Sequence, residues 1–325
     1  TVSNVTFNTT HGRQATIFAK VGAGAVLQHL RIVNETVSAD ALRSDPEGGI
    51  AGQNDGTISD VIADVHITIT DAYDEEIGGL VGLNSGLIEE SSTTGTIMTP
   101  DSVNTFVGGL VGQGGVIDRS HSAVSVQSAD YGAGLVAEPD TVTNSYATGD
   151  VTARRAGGLA ADLHGHKTIE RSFATGAVTA SQYGGGLIGH ADFANNVISD
   201  CYSTGSVTGT TDADALGGLA GGENAAVTNF YATGAIGGPA GAATGGVTGQ
   251  DLGATSVANY WDLDTTGVSD PHKGAGNIVD DPGMTGLSDP QLKSGLPAGF
   301  DPQVWAQSPA INNGYPYLIA NPPPQ

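Results

Sequence analysis

The sequence is poor in basic residues and in long apolar stretches. It has 11 lysines and arginines against 34 acidic residues, a formal net charge of −23, so that polyanions are repelled. We therefore expect neither nucleic acid nor an anionic membrane surface as a partner. No apolar run approaches the roughly 18 residues of a membrane span, so we expect no membrane insertion. The acidic, lysine-poor composition is also typical of proteins that stay soluble in high salt.

Cysteine and aromatic residues are scarce too. The single cysteine, Cys201, excludes an internal disulfide and with it a disulfide-stapled secreted miniprotein. Aromatic residues make up 6% of the chain, whereas there are 50 glycines without a Gly-X-Y triplet, which excludes collagen. Val, Ile and Thr recur throughout, so we favour an ordered, all-β repeat over disorder.

The repeat is a Gly-Gly-aliphatic core. Between the aliphatic residues the spacings are 30, 30, 25, 24, 28, 32 and 28 residues, too short for a propeller blade and typical of one solenoid coil. We expect these aliphatic side chains to form one buried column: Ile50, Leu80, Leu110, Leu135, Leu159, Leu187, Leu219 and Val247.

A second block follows each core and is best preserved from Val142 to Gly149. Aligned copies give two columns that should stack at the ~4.8 Å strand spacing. The first is Val61, Ser91, Ser120, Ser145, Ser172, Cys201, Phe230, Tyr260, and the second is Ile62, Ser92, His121, Tyr146, Phe173, Tyr202, Tyr231, Trp261. Cys201 is thus expected to be buried in a ladder and chemically inert.

These patterns predict a right-handed parallel β-helix (β-solenoid) of about nine coils. Residues 1–47 form an N-terminal cap and first coil, residues 48–261 the repeats, and residues 262–325 a C-terminal capping segment. A helix is expected only around Asp289 to Ser294. The strand Val2 to Phe7 is expected either to fold back over its own first coil or to pair with a neighbouring molecule.

The repeats resemble the GLUG motif of filamentous-haemagglutinin-like and adhesin-like surface proteins. The matching segments are Gly79 to Gly82, Gly109 to Gly112 and Gly186 to Gly189, each with its following block. The resemblance implies a β-solenoid at the cell surface or outside the cell, and the motif carries no catalytic residues. Two cores depart from the motif. In one, Ala133 stands in place of the first glycine before Gly134-Leu135, and in the other, Ala160-Ala161 follows Leu159 where the motif ends in glycine.

Glycosidase chemistry needs two carboxylates that converge on one face. Glu89, Asp118 and Glu170 share one column and form a candidate acidic ridge. The adjacent pairs Glu89-Glu90 and Asp280-Asp281 are expected to point to opposite faces of a strand. A solvated face explains all of these residues, so we expect no catalytic site.

Two metal sites are candidates. Asp262 and Asp264 in a tight loop, with Asp270 nearby, offer oxygen ligands for calcium, and an ordinary acidic turn is the alternative. His164 and His166 flank a glycine one coil before His190, but a transition-metal site needs a further ligand and shielding, and an exposed loop is the alternative.

Three asparagines near the start of the chain begin glycosylation acceptor sequences: Asn4, Asn8 and Asn34. Taken with the resemblance, they favour a non-catalytic structural or adhesive protein that binds surface glycans or proteins. A subunit that binds copies of itself in a filament is the second hypothesis, and a polysaccharide-active enzyme is the third.

Overall fold

The computed structural model describes residues 1–9, 15–40, 42–43 and 45–324, and it shows a parallel β-solenoid of about ten turns. Within these residues, 33 strands form one continuous sheet, and the pairings between successive turns are parallel. The predicted fold class is confirmed, and the coil number is close to the prediction. No helix in the described chain is long and apolar enough to cross a membrane.

Most strands are short, and four longer ones have 13 to 16 residues. The first are Val2–Ser3, Thr6–Thr9, Phe18–Val21, Val26–Ala39, Leu42–Arg43, Glu47–Gly48, Ala51–Asn54, Thr57–Ile69, Ala72–Tyr73, Glu76–Gly78, Val81–Asn84, Leu87–Glu89 and Ser92–Thr99. The middle ones are Phe106–Gly108, Val111–Gln113, Val116–Asp118, His121–Ser128, Tyr131–Ala133, Val136–Glu138, Thr141–Thr143, Tyr146–Ala147, Val151–Gly157, Ala160–Leu163, Thr168–Glu170, Phe173–Ala174 and Val178–Gly185. The last are Ile188–Ser203, Val207–Gly209, Ala215–Gly217, Ala220–Ala232, Ile236–Gly237, Ala243–Gly245, Thr248–Asp251, Thr255–Asp262, Met284–Leu287, Trp305–Gln307 and Pro316–Leu318.

Each coil contributes to five stacks, which we name A to E in chain order. In one coil, stack A holds Tyr131–Ala133, stack B Val136–Glu138, stack C Thr141–Thr143, stack D Tyr146–Ala147 and stack E the start of Val151–Gly157. Longer strands such as Ile188–Ser203 run through several stacks, with a register irregularity at the corner. The solenoid core lies inside this five-sided coil.

The Gly-Gly-aliphatic residues turn the chain from stack A to stack B. The whole predicted column from Ile50 to Val247 has no exposed surface, so this prediction is confirmed. Successive members also pair through the backbone, as when the Leu80 N–H donates to the Leu110 carbonyl at 2.8 Å. The column is therefore both the apolar filling of the bend and part of its hydrogen-bond ladder.

The two predicted columns of stack D are in register as far as Phe230 and Tyr231, and the last coil is shifted by one residue. Asn259 pairs with Phe230 and Tyr260 with Tyr231, so the assignment of Tyr260 and Trp261 to these columns was wrong. Trp261 instead follows Ala232 in an inward-facing row. A Cβ on Gly246 would lie 2.2 Å from its ring, so the indole fills the end of the core.

The C-terminal segment divides into two parts. Residues 263–287 complete the last turn, where Met284–Leu287 pairs with Thr255–Asp262. Residues 288–324, which we call the strap, instead pack along the side of the solenoid, as shown by the Trp305 Nε1 hydrogen bond to Asp200 at 2.9 Å. The helix Asp289–Leu292 lies where one was expected, and a 3₁₀ turn covers Asn312–Gly314.

The first strands belong to the solenoid of their own chain. Val2–Ser3 pairs in parallel with Ile32 and Val33, and Thr6–Thr9 pairs with residues 36–39. Within the chain the strand therefore folds back over its own first coil, and pairing with a neighbouring molecule stays a prediction. The polar residues 10–14 that follow lie outside the described residues.

Candidate functional site

The bend between stacks A and B brings two backbones unusually close. A Cβ on Gly78 would lie 2.0 Å from the Val81 carbonyl oxygen, and one on Gly82 would lie 2.5 Å from the Glu47 backbone nitrogen. Such contacts exclude any side chain, which is why the motif needs glycine on both arms of the bend. Where alanine replaces glycine, at positions 133, 137 and 161, the methyl groups form a small buried cluster of their own.

Residues seven apart lie on the two sides of this bend, and two such pairs are in contact, Arg155 with Asp162 and Tyr183 with His190. The first residue of each pair lies two residues before the Gly-Gly pair and the second lies at the far end of stack B. In-register pairing carries both positions from coil to coil. We call eight of these residues the bend site: Phe106 and Gln113, Tyr131 and Glu138, Arg155 and Asp162, Tyr183 and His190.

The stack A half of the bend site is a ladder of π systems. The rings of Phe106 and Tyr131 stack with centroids 4.6 Å apart and planes 17° from parallel. The Arg155 guanidinium carbon lies 5.4 Å from the Tyr131 centroid and 5.6 Å from that of Tyr183, within cation–π range of both. Because each face is covered by the next residue, the ladder presents mainly ring edges and guanidinium N–H groups.

The stack B half is a row of charged and amide groups. Gln113 Nε2 donates to Glu138 Oε2 at 2.9 Å, and Lys167 Nζ lies 3.4 Å from Glu138 Oε1. Arg155 bonds Asp162 across the bend. Burial by itself lowers the pKa of Arg155, but the Asp162 carboxylate outweighs it and raises that pKa above the usual value.

Two histidines and two aspartates interlock at one end of the bend site. Asp162 and His190 are paired in register. His164 lies just past the end of the strand that holds Asp162, and Asp192 lies two residues after His190 on the same strand. His190 Nδ1 is 2.9 Å from Asp192 Oδ1 and 3.6 Å from Asp162 Oδ1, and His164 Nε2 is 3.1 Å from Asp192 Oδ2. We call these four residues the Asp/His quartet.

Only part of this arrangement was visible in the sequence. Among the predicted histidines, His164 and His190 come together, whereas His166 lies apart, with its Nε2 2.8 Å from Asn195 Nδ2. Asp162 and Asp192 were missed. The signal was the reciprocal pair Asp-x-His and His-x-Asp in successive coils, which becomes meaningful once the register is known.

Two residues of the predicted acidic ridge, Glu89 and Asp118, pair with one arginine. Arg119 Nη2 lies 3.1 Å from Glu89 and its Nε 3.2 Å from Glu90, and its Nη1 bonds Asp118. Glu90 has a left-handed backbone, with φ of 49°, so the expectation that Glu89 and Glu90 point to opposite faces was wrong. Glu170 lies two coils from Asp118, with Thr143 between them.

Burial acts to raise the pKa of Asp118. Hydrogen bonds from Asn144 and Thr143 and the charge of Arg119 act in the opposite direction and hold that pKa below its usual range. The second acidic pair, Asp280-Asp281, lies elsewhere, where Asp280 bonds His272.

The predicted calcium ligands have protein partners. Asp262 is buried, its Oδ1 accepts the Asp264 N–H at 2.8 Å, and its Oδ2 accepts the Tyr315 hydroxyl at 2.9 Å. Asp264 accepts the Asp289 N–H at 2.9 Å, and Asp270 accepts the His272 N–H at 3.0 Å. Calcium binding at Asp262, Asp264 and Asp270 stays a prediction.

The three candidate glycosylation asparagines are exposed. Asn4 and Asn34 both have a left-handed backbone, and Asn34 Nδ2 donates to Asn4 Oδ1 at 2.9 Å. Thr10, the third residue of the acceptor that begins at Asn8, lies outside the described residues. Glycosylation stays a prediction.

Comparison with models of protein families gives no match, and comparison with curated proteins gives none. Among solved structures, a crystal structure named "putative immunoglobulin A1 protease" from Bacteroides ovatus is similar, at 14% identity and a TM-score of 0.42. The similarity covers 95% of this chain and 93% of that one, and at this level it carries no argument about activity. The fold and the bend site define this chain as a parallel β-solenoid protein with a polar and aromatic row along one corner.

Proposed function

We propose that this chain is a non-catalytic, adhesive cell-surface protein that binds a glycan or protein ligand along the bend site. The observation that carries the proposal is the continuous ladder of Phe106, Tyr131, Arg155 and Tyr183, flanked by a row of hydrogen-bonding groups. Successive coils repeat at ~4.8 Å, so the row offers evenly spaced contacts on a rigid scaffold. The resemblance to GLUG repeats supports location at the cell surface.

Neutral ligands fit this site better than acidic ones. The net charge of −23 repels polyanions, and the one arginine of the ladder already bonds Asp162. Glu138 and Gln113 provide acceptors and a donor for hydroxyl groups. We therefore expect neutral oligosaccharides to bind before sialylated ones.

The test is binding of the fluorescently labelled chain to an array of neutral and sialylated glycans. We expect binding to at least one neutral glycan, reduced at least tenfold in Tyr131→Ala and Tyr183→Ala and retained in the control Tyr73→Ala. Tyr73 is 45% exposed and lies outside the bend site, on the coil before Phe106. Absence of binding, or equal binding by all variants, contradicts the proposal for glycans.

Self-assembly is a second candidate, favoured by an apolar hollow of about 300 Å³ at the N-terminal end of the solenoid. Among described residues, it is lined by Val2, Phe7, Phe18 and Leu30, with Phe18 40% exposed. Electron microscopy of the purified chain and of Phe18→Asp tests it. Filaments that disappear in Phe18→Asp support assembly, and a monomeric native chain contradicts it.

A further inference from the structure

The Asp/His quartet combines the side chains that bind transition metals with a buried, unsatisfied oxygen. Asp162 has no exposed surface, and its Oδ1 makes no hydrogen bond, although its Oδ2 bonds Arg155. His190 is 6% exposed, and its Nδ1 also lacks a hydrogen bond of good geometry. A buried carboxylate oxygen without a hydrogen bond costs free energy, so a group that binds it stabilises the fold.

The unsatisfied atoms converge. Within the described residues, Asp162, His190 and Asp192 form a group of three potential ligands whose nearest atoms all lie within 4.8 Å of one another. Tetrahedral coordination with bonds of about 2.0 to 2.1 Å places ligand atoms about 3.3 Å apart. The separations of 2.9 Å and 3.6 Å from His190 Nδ1 to the two carboxylates bracket that value.

A fourth donor borders the group. His164 Nε2 lies 3.1 Å from Asp192 Oδ2, and its Nδ1 lies 3.8 Å from Asp162 Oδ1. The ring is held on its outer side by an edge contact with Phe193, with centroids 6.1 Å apart. His164 is 40% exposed and Asp192 34% exposed, so an ion can enter from solvent.

The charges around the quartet are compatible with a divalent cation. Asp162 and Asp192 supply two negative charges, and Arg155 offsets one of them from the opposite side of Asp162. Arg155 thereby fixes the orientation of the carboxylate and leaves Oδ1 directed at the histidines, as supporting partners of metal ligands do. Imidazole with carboxylate oxygens is a donor set that suits zinc and neighbouring transition metals.

We propose that the chain binds one divalent transition-metal ion, of the zinc class, through Asp162 Oδ1, His190 Nδ1 and Asp192. His164, which lies beside both carboxylates, is the candidate fourth donor. The site bridges two successive coils, so metal binding couples their register. This site is independent of glycan or protein binding along the rest of the bend site.

The test uses the full chain, first stripped with a chelator and then titrated with Zn²⁺ and with Co²⁺. We expect one metal per chain after gel filtration, visible Co²⁺ absorption bands of tetrahedral intensity and a raised melting temperature with Zn²⁺. His190→Gln and Asp192→Asn should each weaken Zn²⁺ binding by at least about 100-fold. Loss of a residue that only supports a metal ligand weakens binding by about 10- to 100-fold, so a larger effect indicates a ligand. His66→Gln, at the exposed His66–Asp64 pair, is the matched control and should bind as the native chain does.

His190 is buried, so circular dichroism must show that its variant is folded. Asp192 is partly exposed, and its variant keeps the test open if His190→Gln does not fold. The proposal is overturned if the native chain retains no metal, which would leave the quartet as an ion-pair network only. It is equally overturned if Asp192→Asn and the native chain bind Zn²⁺ with the same affinity and stoichiometry.

Discussion

At the residue scale, the first column of stack D is a ladder of buried hydrogen bonds. Ser145 shows its unit: the hydroxyl accepts the Ser120 N–H at 3.1 Å and donates to the Thr143 carbonyl at 2.8 Å. The same pattern repeats at Ser91, Ser120 and Ser172. In these four coils a small side chain with one donor and one acceptor therefore satisfies two backbone groups, whereas Val61 and Phe230 fill the same column in other coils.

Cys201 occupies one step of the same ladder. Its Sγ lies 3.2 Å from the Ser199 carbonyl oxygen, and its burial raises the pKa of the thiol to about 12. We predict that Cys201→Ser changes the free energy of unfolding by less than about 1 kcal/mol, because the hydroxyl finds both partners. Ser145→Ala should cost about 1–3 kcal/mol, since it leaves a buried N–H unsatisfied. Urea unfolding measures both, and a Cys201→Ser loss as large as that of Ser145→Ala contradicts the ladder.

Buried carboxyl groups make the stability depend on pH. Glu223 has no exposed surface and no hydrogen bond to either oxygen, and burial, followed by the charges of Asp251 and Asp281, raises its pKa to about 8. Between about pH 4.5, the pKa of an unfolded glutamate, and about pH 8, the folded chain keeps Glu223 protonated whereas the unfolded chain does not. The free energy of unfolding therefore falls as the pH rises through this range. The slope for one such group is about 1.4 kcal/mol per pH unit.

We predict that Glu223→Gln flattens this slope and is more stable than the native chain at pH 8. Part of the slope remains, because burial also raises the pKa of Glu35 to about 8. Asp212→Asn, in an exposed turn, is the control and should leave the slope unchanged. Urea midpoints between pH 4 and pH 9 measure the effect; a native midpoint that rises over this range contradicts it.

At the scale of the element, the corner between stacks C and D depends on one left-handed residue per coil. The φ angles of this column lie between 45° and 57°. Asparagine and aspartate tolerate this conformation better than other side chains, and glycine adopts it without strain. The column is His29, Asp60, Glu90, Arg119, Asn144, Arg171, Asp200, Asn229 and Ala258.

Ala258 is the least suited residue in this column. We predict that Ala258→Gly stabilises the chain by up to about 1 kcal/mol, because it relieves the left-handed strain. Ala226→Gly, within the same kind of sheet but with an ordinary extended backbone, should destabilise it by about 0.5–1 kcal/mol. Thermal unfolding measures the change in stability of each variant. Destabilisation by both substitutions contradicts the assignment of strain to Ala258.

The elements that the sequence predicted are those marked by local repetition. The Gly-Gly-Leu bend recurs every 24 to 32 residues. Its glycines are required locally, because no side chain fits between the two arms of the bend, so the bend could be recognised directly in the sequence. The register of the last coil could not be recognised, because Asn259 takes the place of serine in the ladder. Its Oδ1 accepts the Phe230 N–H and its Nδ2 donates to the Val227 carbonyl, both at 3.2 Å. The adjacent Tyr260 and Trp261 then allowed an alignment shifted by one residue.

The bend site was hidden for a different reason. Arg155 and Asp162 are seven residues apart, and only the tight glycine turn between them brings the two side chains together. The quartet also needs the pairing of Asp162 with His190 in the next coil. Neither distance follows from composition or from a motif within one coil.

At the scale of the whole molecule, the strap covers a ladder of stacked rings on the side of the solenoid. Tyr146, Phe173, Tyr202 and Tyr231 stack with centroids 4.6 to 5.2 Å apart and nearly parallel planes. The strap reaches back along them, so that Asn321 Nδ2 donates to the Ser145 carbonyl at 3.2 Å. Its contacts hold the strap to five successive coils, those of Ser145, Arg171, Asp200, Tyr231 and Tyr260, without contributing to the parallel sheet.

Trp305 is the main anchor of the strap. It is 1% exposed, its Nε1 donates to Asp200, and its ring lies 6.1 Å from that of Tyr202, 6.0 Å from that of Tyr231 and 4.5 Å from that of Phe300. Replacing such a side chain by alanine removes about 3–5 kcal/mol of packing. Because these contacts lie outside the solenoid core, the loss should fall on docking of the strap.

We predict that Trp305→Ala releases the strap while the parallel sheet remains folded. Limited proteolysis should then cut within residues 288–324 at protease concentrations that leave the native chain intact, and the far-ultraviolet circular dichroism should keep its β signal. Ile319→Ala, at a strap position that is 48% exposed, is the control and should resist cleavage as the native chain does. If Trp305→Ala instead loses the strap and the sheet in a single transition, the strap is an integral part of the solenoid, because the coils from Ser145 onward depend on its cover.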